Sequence, residues 1–228
     1  MSRKCSTPPQ TSYIYSKRMS EITYTLLSDG TSDKALLPII DWTIRKHHPD
    51  IILQSQWADF SLLSMPPKEL SERIKQAIEL YPCDWLVIHR DGEKQPIIDR
   101  QQEIDKAWQL IAKSYTVRTV IGIIPVRMTE AWLLLDEKAI KLAAGNPSGR
   151  QKLSIPSIKQ LESLPDPKQT LQQLLREASE LSGRRLQKFN VSKAVQLVAE
   201  NISDFSALNE LNAFLSFEKL VITAIQTL

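Results

Sequence analysis

Trp85-Leu86-Val87-Ile88-His89-Arg90-Asp91-Gly92-Glu93 decides the fold. Its first half is a continuous apolar run, the pattern of a strand buried on both faces, and such strands belong to parallel sheets covered by helices. Its second half turns abruptly charged. Two other stretches repeat the arrangement. Leu26-Leu27 closes an apolar run and leads into Ser28-Asp29-Gly30-Thr31-Ser32-Asp33, and the run from Val120 to Pro125 leads into Val126-Arg127-Met128-Thr129-Glu130. In α/β proteins the carboxyl ends of parallel strands open onto one crevice, where ligands bind. Carboxylates gathered there repel one another unless a cation sits among them, and oxygen donors suit Mg²⁺, Mn²⁺ and Ca²⁺.

The flanking sequence supplies the helices. Strands are expected at 22–27, 51–54, 85–89 and 117–126. Between them, apolar residues recur at helical spacing over 33–45, 68–80 and 97–114, and again over 130–143. Gly30 is read as permitting the tight turn out of the first strand, Ser32 as the cap of the following helix, and Pro38 as a kink within it. Thr129 is read as the cap of the helix over 130–143. Strands alternating with helices predict an α/β fold with a mostly parallel sheet flanked by helices. After Gly145-Asn146-Pro147 strand signals stop. Prolines punctuate the chain, and helices are expected over 168–182, 191–202 and 206–228. The division this implies is a flexible polar tail over 1–20, an α/β domain over 21–146 and a helical C-terminal extension over 147–228.

The chain has 228 residues and a net charge of +3, which suits one domain with an appendage and does not by itself point to nucleic acid. The charge is uneven, however. Between Lys138 and Lys193 basic residues far outnumber the acids Glu162, Asp166, Glu177 and Glu180. That face is either a solvated basic surface or an electrostatic track for phosphates. The cysteines, Cys5 and Cys83, form no metal-ligand or disulfide pattern. No apolar run reaches transmembrane length, and the N-terminus lacks the apolar core of a signal peptide, so a cytoplasmic protein without a membrane partner is expected.

The candidate residues divide by position. Asp29, Asp91 and Glu130 lie just beyond strand ends, with Glu93 close by. Asp33 is either a further ligand or a first-turn acid that favours its helix. His89 ends an apolar strand, and three readings are open to it: metal ligand, proton carrier, or buried histidine bonded to backbone. Arg90 either binds phosphate or pairs with a neighbouring acid. Asp136 is read as an exposed or helix-terminal acid. No P-loop, dinucleotide-binding, nucleophile-elbow or HExxH motif is present.

At these residues the chain resembles the TOPRIM fold, the catalytic module of topoisomerases, primases and overcoming-lysogenization-defect (OLD) nucleases. In that fold a strand-turn Glu-Gly pair precedes a helix, and a later strand ends in Asp-x-Asp. Ser28-Asp29-Gly30-Thr31-Ser32-Asp33 resembles the first motif with Asp29 in place of Glu, and His89-Arg90-Asp91 resembles the second with His89 in place of the first Asp. The stretch Ile124-Pro125-Val126-Arg127-Met128-Thr129-Glu130-Ala131-Trp132-Leu133-Leu134 looks like a signature of small stand-alone TOPRIM-like bacterial proteins, some of which accompany ATPases in phage-defence loci. The resemblance covers roughly residues 22–136.

It implies a divalent-metal-dependent nuclease, possible in homo-oligomeric form, using Mg²⁺ or Mn²⁺. Asp29, Asp91, Glu93 and Glu130, with Asp33, would hold the metal. Asp29, Asp91, Glu130 and His89 would form the catalytic set. Arg90, Arg127, Lys168, Arg184 and Arg185 would meet a DNA or RNA backbone. The two substitutions shorten one ligand arm and remove one negative charge, the latter favouring Mn²⁺ or a transition metal over a harder ion. The alternative is a non-catalytic TOPRIM-like subunit that binds an ATPase partner or nucleic acid. Another possibility is phosphate chemistry on small nucleotides.

Overall fold

The computed structural model describes residues 21–93 and 95–228; the tail expected over 1–20 lies outside them. Strands β1 (Glu21–Leu27), β2 (Ile52–Trp57), β3 (Trp85–His89) and β4 (Thr119–Ile123) form one four-stranded sheet in the order β2-β1-β3-β4. Every pairing is parallel. Helices α1 (Leu37–His47), α2 (Leu70–Leu80) and α3 (Ile97–Ile111) make the three crossovers. The architecture is therefore α/β with a wholly parallel sheet flanked by helices.

Period-two alternation sorts the side chains of β3 between two cores. Trp85 and Val87 join Ile22, Tyr24 and Leu26 on one face, while Leu86 and Ile88 join Leu27 on the other. The second face is covered by α2 and α3, through Ile74, Ala77, Ile104 and Ala107. The first is covered by α1 and by the C-terminal helices α4 (Glu137–Ala143), α6 (Pro167–Ser179), α8 (Val191–Asn201) and α9 (Asn212–Ile225). Helix α9 packs on β4 and α1. There Trp132 meets Phe214 edge-on at 5.5 Å and Phe217 at 6.5 Å. Two short helices, α5 (Ile158–Leu161) and α7 (Gly183–Gln187), complete the set. No helix among the described residues is long and apolar enough to cross a membrane.

The element boundaries differ from expectation in instructive ways. β2 runs on to Trp57 because it is an edge strand with one covered face: Leu53, Ser55 and Trp57 alternate with the polar Gln54 and Gln56, which lie on the opposite face. β4 is shorter than 117–126, since Pro125 has no N–H to donate to a ladder. Gly30, not Ser32, caps a 3₁₀ segment over Thr31–Leu36 that leads into α1. Pro38 consequently falls in the first turn of α1, where a missing N–H costs nothing, and it does not kink the helix. Gly30 itself has φ −119°, ordinary extended backbone. Close approach instead demands glycine at Gly92, where a Cβ would lie 2.6 Å from the Val126 carbonyl oxygen. The helix expected over 130–143 is split. A 3₁₀ segment, Thr129–Leu133, is capped by Met128, and α4 is capped by Asp136, whose Oδ1 accepts from the N–H groups of Lys138 and Ala139 at 2.7 and 3.3 Å.

Candidate functional site

The strand order sends the chain from β1 outward to β2 and from β3 outward to β4, so the direction of winding reverses between β1 and β3. Parallel sheets open a crevice at such a switch point, beyond the carboxyl ends of the strands. Asp29 and Asp33 follow β1, His89 and Asp91 end β3, and Glu130 follows β4.

His89 is the hub. It pairs in register with Ile123 of β4 and is only 2% exposed. Its Nδ1 lies 3.3 Å from Asp33 Oδ2, and its Nε2 lies 3.2 Å from Asp91 Oδ1 and 3.2 Å from Thr129 Oγ1. Thr129 in turn donates its hydroxyl to Asp33 Oδ1 at 3.4 Å. Burial alone would lower the pKa of this imidazole. The two carboxylates on its two nitrogens outweigh burial and raise it to about 9. At neutral pH His89 is thus an imidazolium with no lone pair left for a metal. Asp33 is buried as well, which pushes its pKa up. His89, the Gly30 N–H at 2.9 Å and Thr129 overcome that and hold it below the usual value.

Glu130 opens the 3₁₀ segment after β4 and is 4% exposed. Burial raises its pKa, with smaller upward contributions from Asp91 and Asp33; its own N–H and the Lys168 ammonium act in the opposite sense. Asp91 Oδ1 is buried beside the His89 imidazole without a hydrogen bond, and so is His89 Nδ1 facing Asp33, so these are ion pairs rather than aligned hydrogen bonds.

A lattice of arginines closes the other side of the crevice. Asp29, with its side chain 55% exposed, accepts from Arg90 at 2.6 Å on Oδ2 and faces Arg73 at 3.3 Å on Oδ1. Arg90 continues to Glu103 at 2.8 Å, and Arg100 reaches the same carboxylate at 2.9 Å. Arg100 also donates to the Asp91 carbonyl at 3.1 Å and faces Glu93 at 3.8 Å. Glu93 itself is exposed and sits in the left-handed region at φ 52°. Arg73, Arg100 and Glu103 escape sequence reasoning because each sits on the polar stripe of an amphipathic helix. The one signal that could have found them is a charged residue on the turn nearest a strand-end motif.

Asp33 and Asp91 are therefore brought together on His89, with Glu130 within electrostatic reach of both acids, whereas Asp29 and Glu93 are drawn aside by arginines. Lys168 lies in the first turn of α6, exposed, with its field reaching Glu130. Arg127 is half-buried ahead of the 3₁₀ segment, and Arg184 and Arg185 are exposed on α7. No group of three or more His, Cys, Asp and Glu side chains among the described residues is set to hold a metal ion. Two carboxylates, Asp91 and Glu130, remain as candidates. Mg²⁺ keeps much of its water and is commonly bound by one or two carboxylates plus a substrate phosphate. Asp91 Oδ1 makes no hydrogen bond but faces the His89 imidazolium at 3.2 Å, so a cation there would compete with that ion pair; Glu130 is buried with its charge disfavoured.

Fold and site together define an α/β protein with a carboxylate–imidazolium cluster at the switch point of a parallel sheet. The chain matches no protein-family model, no curated protein and no solved structure.

Proposed function

We propose that this protein is a divalent-metal-dependent nuclease, TOPRIM-like in kind, that acts on nucleic-acid phosphodiesters at the crevice between β1 and β3. The observation that carries this reading is the meeting of Asp33 and Asp91, from separate connections, on the buried imidazole of His89, with Glu130 close enough for both acids to act on its charge. Asp91 and Glu130 would hold Mg²⁺ or Mn²⁺, which when bound supplies Lewis-acid stabilisation of phosphoryl charge and acidifies water. The chain's own residues do the rest. His89 fixes the orientation of Asp33 and Asp91 and is placed to lend a proton through Asp91. Arg90 and Arg127 offset phosphate charge near the centre. Lys168, Arg184 and Arg185 steer and hold the backbone further out. A cytoplasmic setting and a role in phage defence beside an ATPase partner come with the resemblance and belong to this proposal.

The test is cleavage of labelled DNA and RNA with Mg²⁺ or Mn²⁺, comparing wild type with Asp91→Ala. Metal-dependent cleavage lost in Asp91→Ala, with binding retained, supports the reading. Cleavage that survives in the variant sinks it.

One observation favours a second reading, a non-catalytic subunit that binds nucleic acid or a partner. Asp33 and Asp91 already share an imidazolium, and Asp29 already has two guanidinium partners. His89→Asp separates the two. It restores the usual acidic pair, so a gain of Mg²⁺-dependent cleavage marks a weakened nuclease centre, and loss of existing cleavage marks His89 as a working residue. Silence in wild type and variant alike, with metal titration showing no binding, leaves the non-catalytic reading.

A further inference from the structure

We infer that a backbone phosphate of the nucleic acid seats between Arg73 and Arg90, in the place the Asp29 carboxylate now fills. The inference rests on the nucleic-acid reading above for the identity of its ligand, but it involves no metal. Arg73, on α2, donates to the Ser28 carbonyl at 2.7 Å, lies 3.3 Å from Asp29 Oδ1 and stacks over Phe60 at 5.4 Å. Those contacts fix the guanidinium before any ligand arrives. Arg90, just beyond β3, is fixed from the other side by Asp29 Oδ2 at 2.6 Å and Glu103 at 2.8 Å.

The donors do not balance. The Nε atoms of Arg73 and Arg90 are both buried and both lack a hydrogen-bond partner. Each Asp29 oxygen faces a terminal guanidinium nitrogen, and neither oxygen bonds an Nε. A buried donor without an acceptor is costly, so the pair is incompletely matched by a planar carboxylate. A phosphodiester brings more acceptor oxygens in a tetrahedral array, and guanidinium forks are suited to take them two at a time. Asp29 is the component free to leave, being the most exposed of these side chains, at 55% against 16% for Arg73 and 21% for Arg90.

The surroundings suit an anionic strand. Arg73 and Arg90 line one wall of a cavity of ≈ 300 Å³ between α2 and α3, whose rim carries Lys68 and Lys106. Against these four cations stand Glu69 and Glu103 in the lining and Asp29 paired with both guanidiniums beside it, an excess of one positive charge. Asp29 is thus an internal stand-in for phosphate. It holds the two guanidiniums in place, and it yields to a stronger acceptor set when a strand enters.

The experiment measures binding alone, in EDTA. Fluorescein-labelled single strands of DNA and RNA with the same sequence are titrated with wild type, Arg73→Ala, Arg73→Lys and Asp29→Asn, each first checked by thermal melting. Arg73→Lys keeps the charge and loses the fork, so it stays informative if the alanine variant is poorly folded. Both Arg73 variants should bind roughly tenfold more weakly, the size of one charge-assisted hydrogen-bond pair. Arg73→Ala should also lower the slope of log affinity against log salt by about 0.7 for a single strand. Asp29→Asn removes the competing anion while keeping its shape, and it should bind severalfold more tightly. Wild type that binds neither strand, Arg73→Lys that binds like wild type, or Asp29→Asn that binds no more tightly overturns the inference. Absence of metal-dependent cleavage with this binding series intact would remove the nuclease reading and leave the phosphate seat standing.

Discussion

Glu130 and His89 carry the physics of the crevice at the scale of single residues. Glu130 is a carboxylate held where burial and two neighbouring acids disfavour its charge. Removing the charge relieves that cost. Glu130→Gln should therefore abolish metal-dependent cleavage and at the same time raise Tm by about 3 °C, the shift expected for roughly 1 kcal/mol in a chain of this size. An unchanged or lower Tm would show that the carboxylate is already well compensated.

His89 has the opposite sign. Its folded pKa of about 9 lies above its ordinary 6.5, so its contribution to stability is complete below about pH 6.5 and disappears as the pH rises through 9. Asp33, held below its usual value, contributes above that value and loses its part in acid. The Tm gap between wild type and His89→Gln should be widest near pH 6 and should narrow steadily towards pH 10. A gap that does not vary with pH would mean that the imidazole is neutral throughout.

At the scale of elements, the site is built by short segments whose caps fix where side chains point. Thr129 and Glu130 reach the crevice because the chain after β4 makes a 3₁₀ turn and then stops; a continuous helix from Glu130 would carry the following residues along one straight axis. Asp136 enforces the break by capping α4 through two backbone N–H groups. Asp136→Ala should cost about 1 kcal/mol, the usual value of a lost N-cap, readable as a lower urea midpoint with unchanged slope. The same substitution should weaken metal-dependent cleavage far less than Glu130→Gln, because Asp136 does not face the crevice.

At the scale of the molecule, the sheet and the C-terminal helices share one buried cluster. It runs from Ile22 and Trp85 in the strands through Trp132 to Phe214, Phe217 and Val221 in α9. A chain ending at Ala144 would expose that face of the sheet, and large exposed apolar patches drive aggregation. Truncation after Ala144 should yield protein without a cooperative melting transition. Within the full chain, Trp132→Ala should cost about 3–5 kcal/mol, the range for emptying a fully buried aromatic site. A soluble, cooperatively folded truncation would show instead that the α/β part is autonomous.

The sequence by itself determined the class of fold. Continuous apolar runs such as 85–89 have one economical fate, a strand covered on both faces, and helices spaced between them leave a parallel sheet as the outcome. Strand-end position also singled out Asp29, Asp91, Glu130 and His89, since parallel strands bring their carboxyl ends to one side whatever the loops do. Boundaries were less legible. Ser55, Gln56 and Trp57 of β2 fell beyond the expected strand because edge strands have no burial pattern to display, and the break between Leu133 and Glu137 was invisible because a 3₁₀ turn and an α-helix use the same apolar spacing at short range. Only the tertiary structure decided how the charges are matched. That Asp33 belongs to His89, that Asp29 belongs to Arg73 and Arg90, and that Arg100 and Glu103 enter the lattice at all depend on where α2 and α3 pack on the sheet. Local propensity places a charge on a helix stripe or in a turn. Which opposite charge it meets is set by distances of a few ångströms between elements far apart in the chain, and these appear only when the core closes.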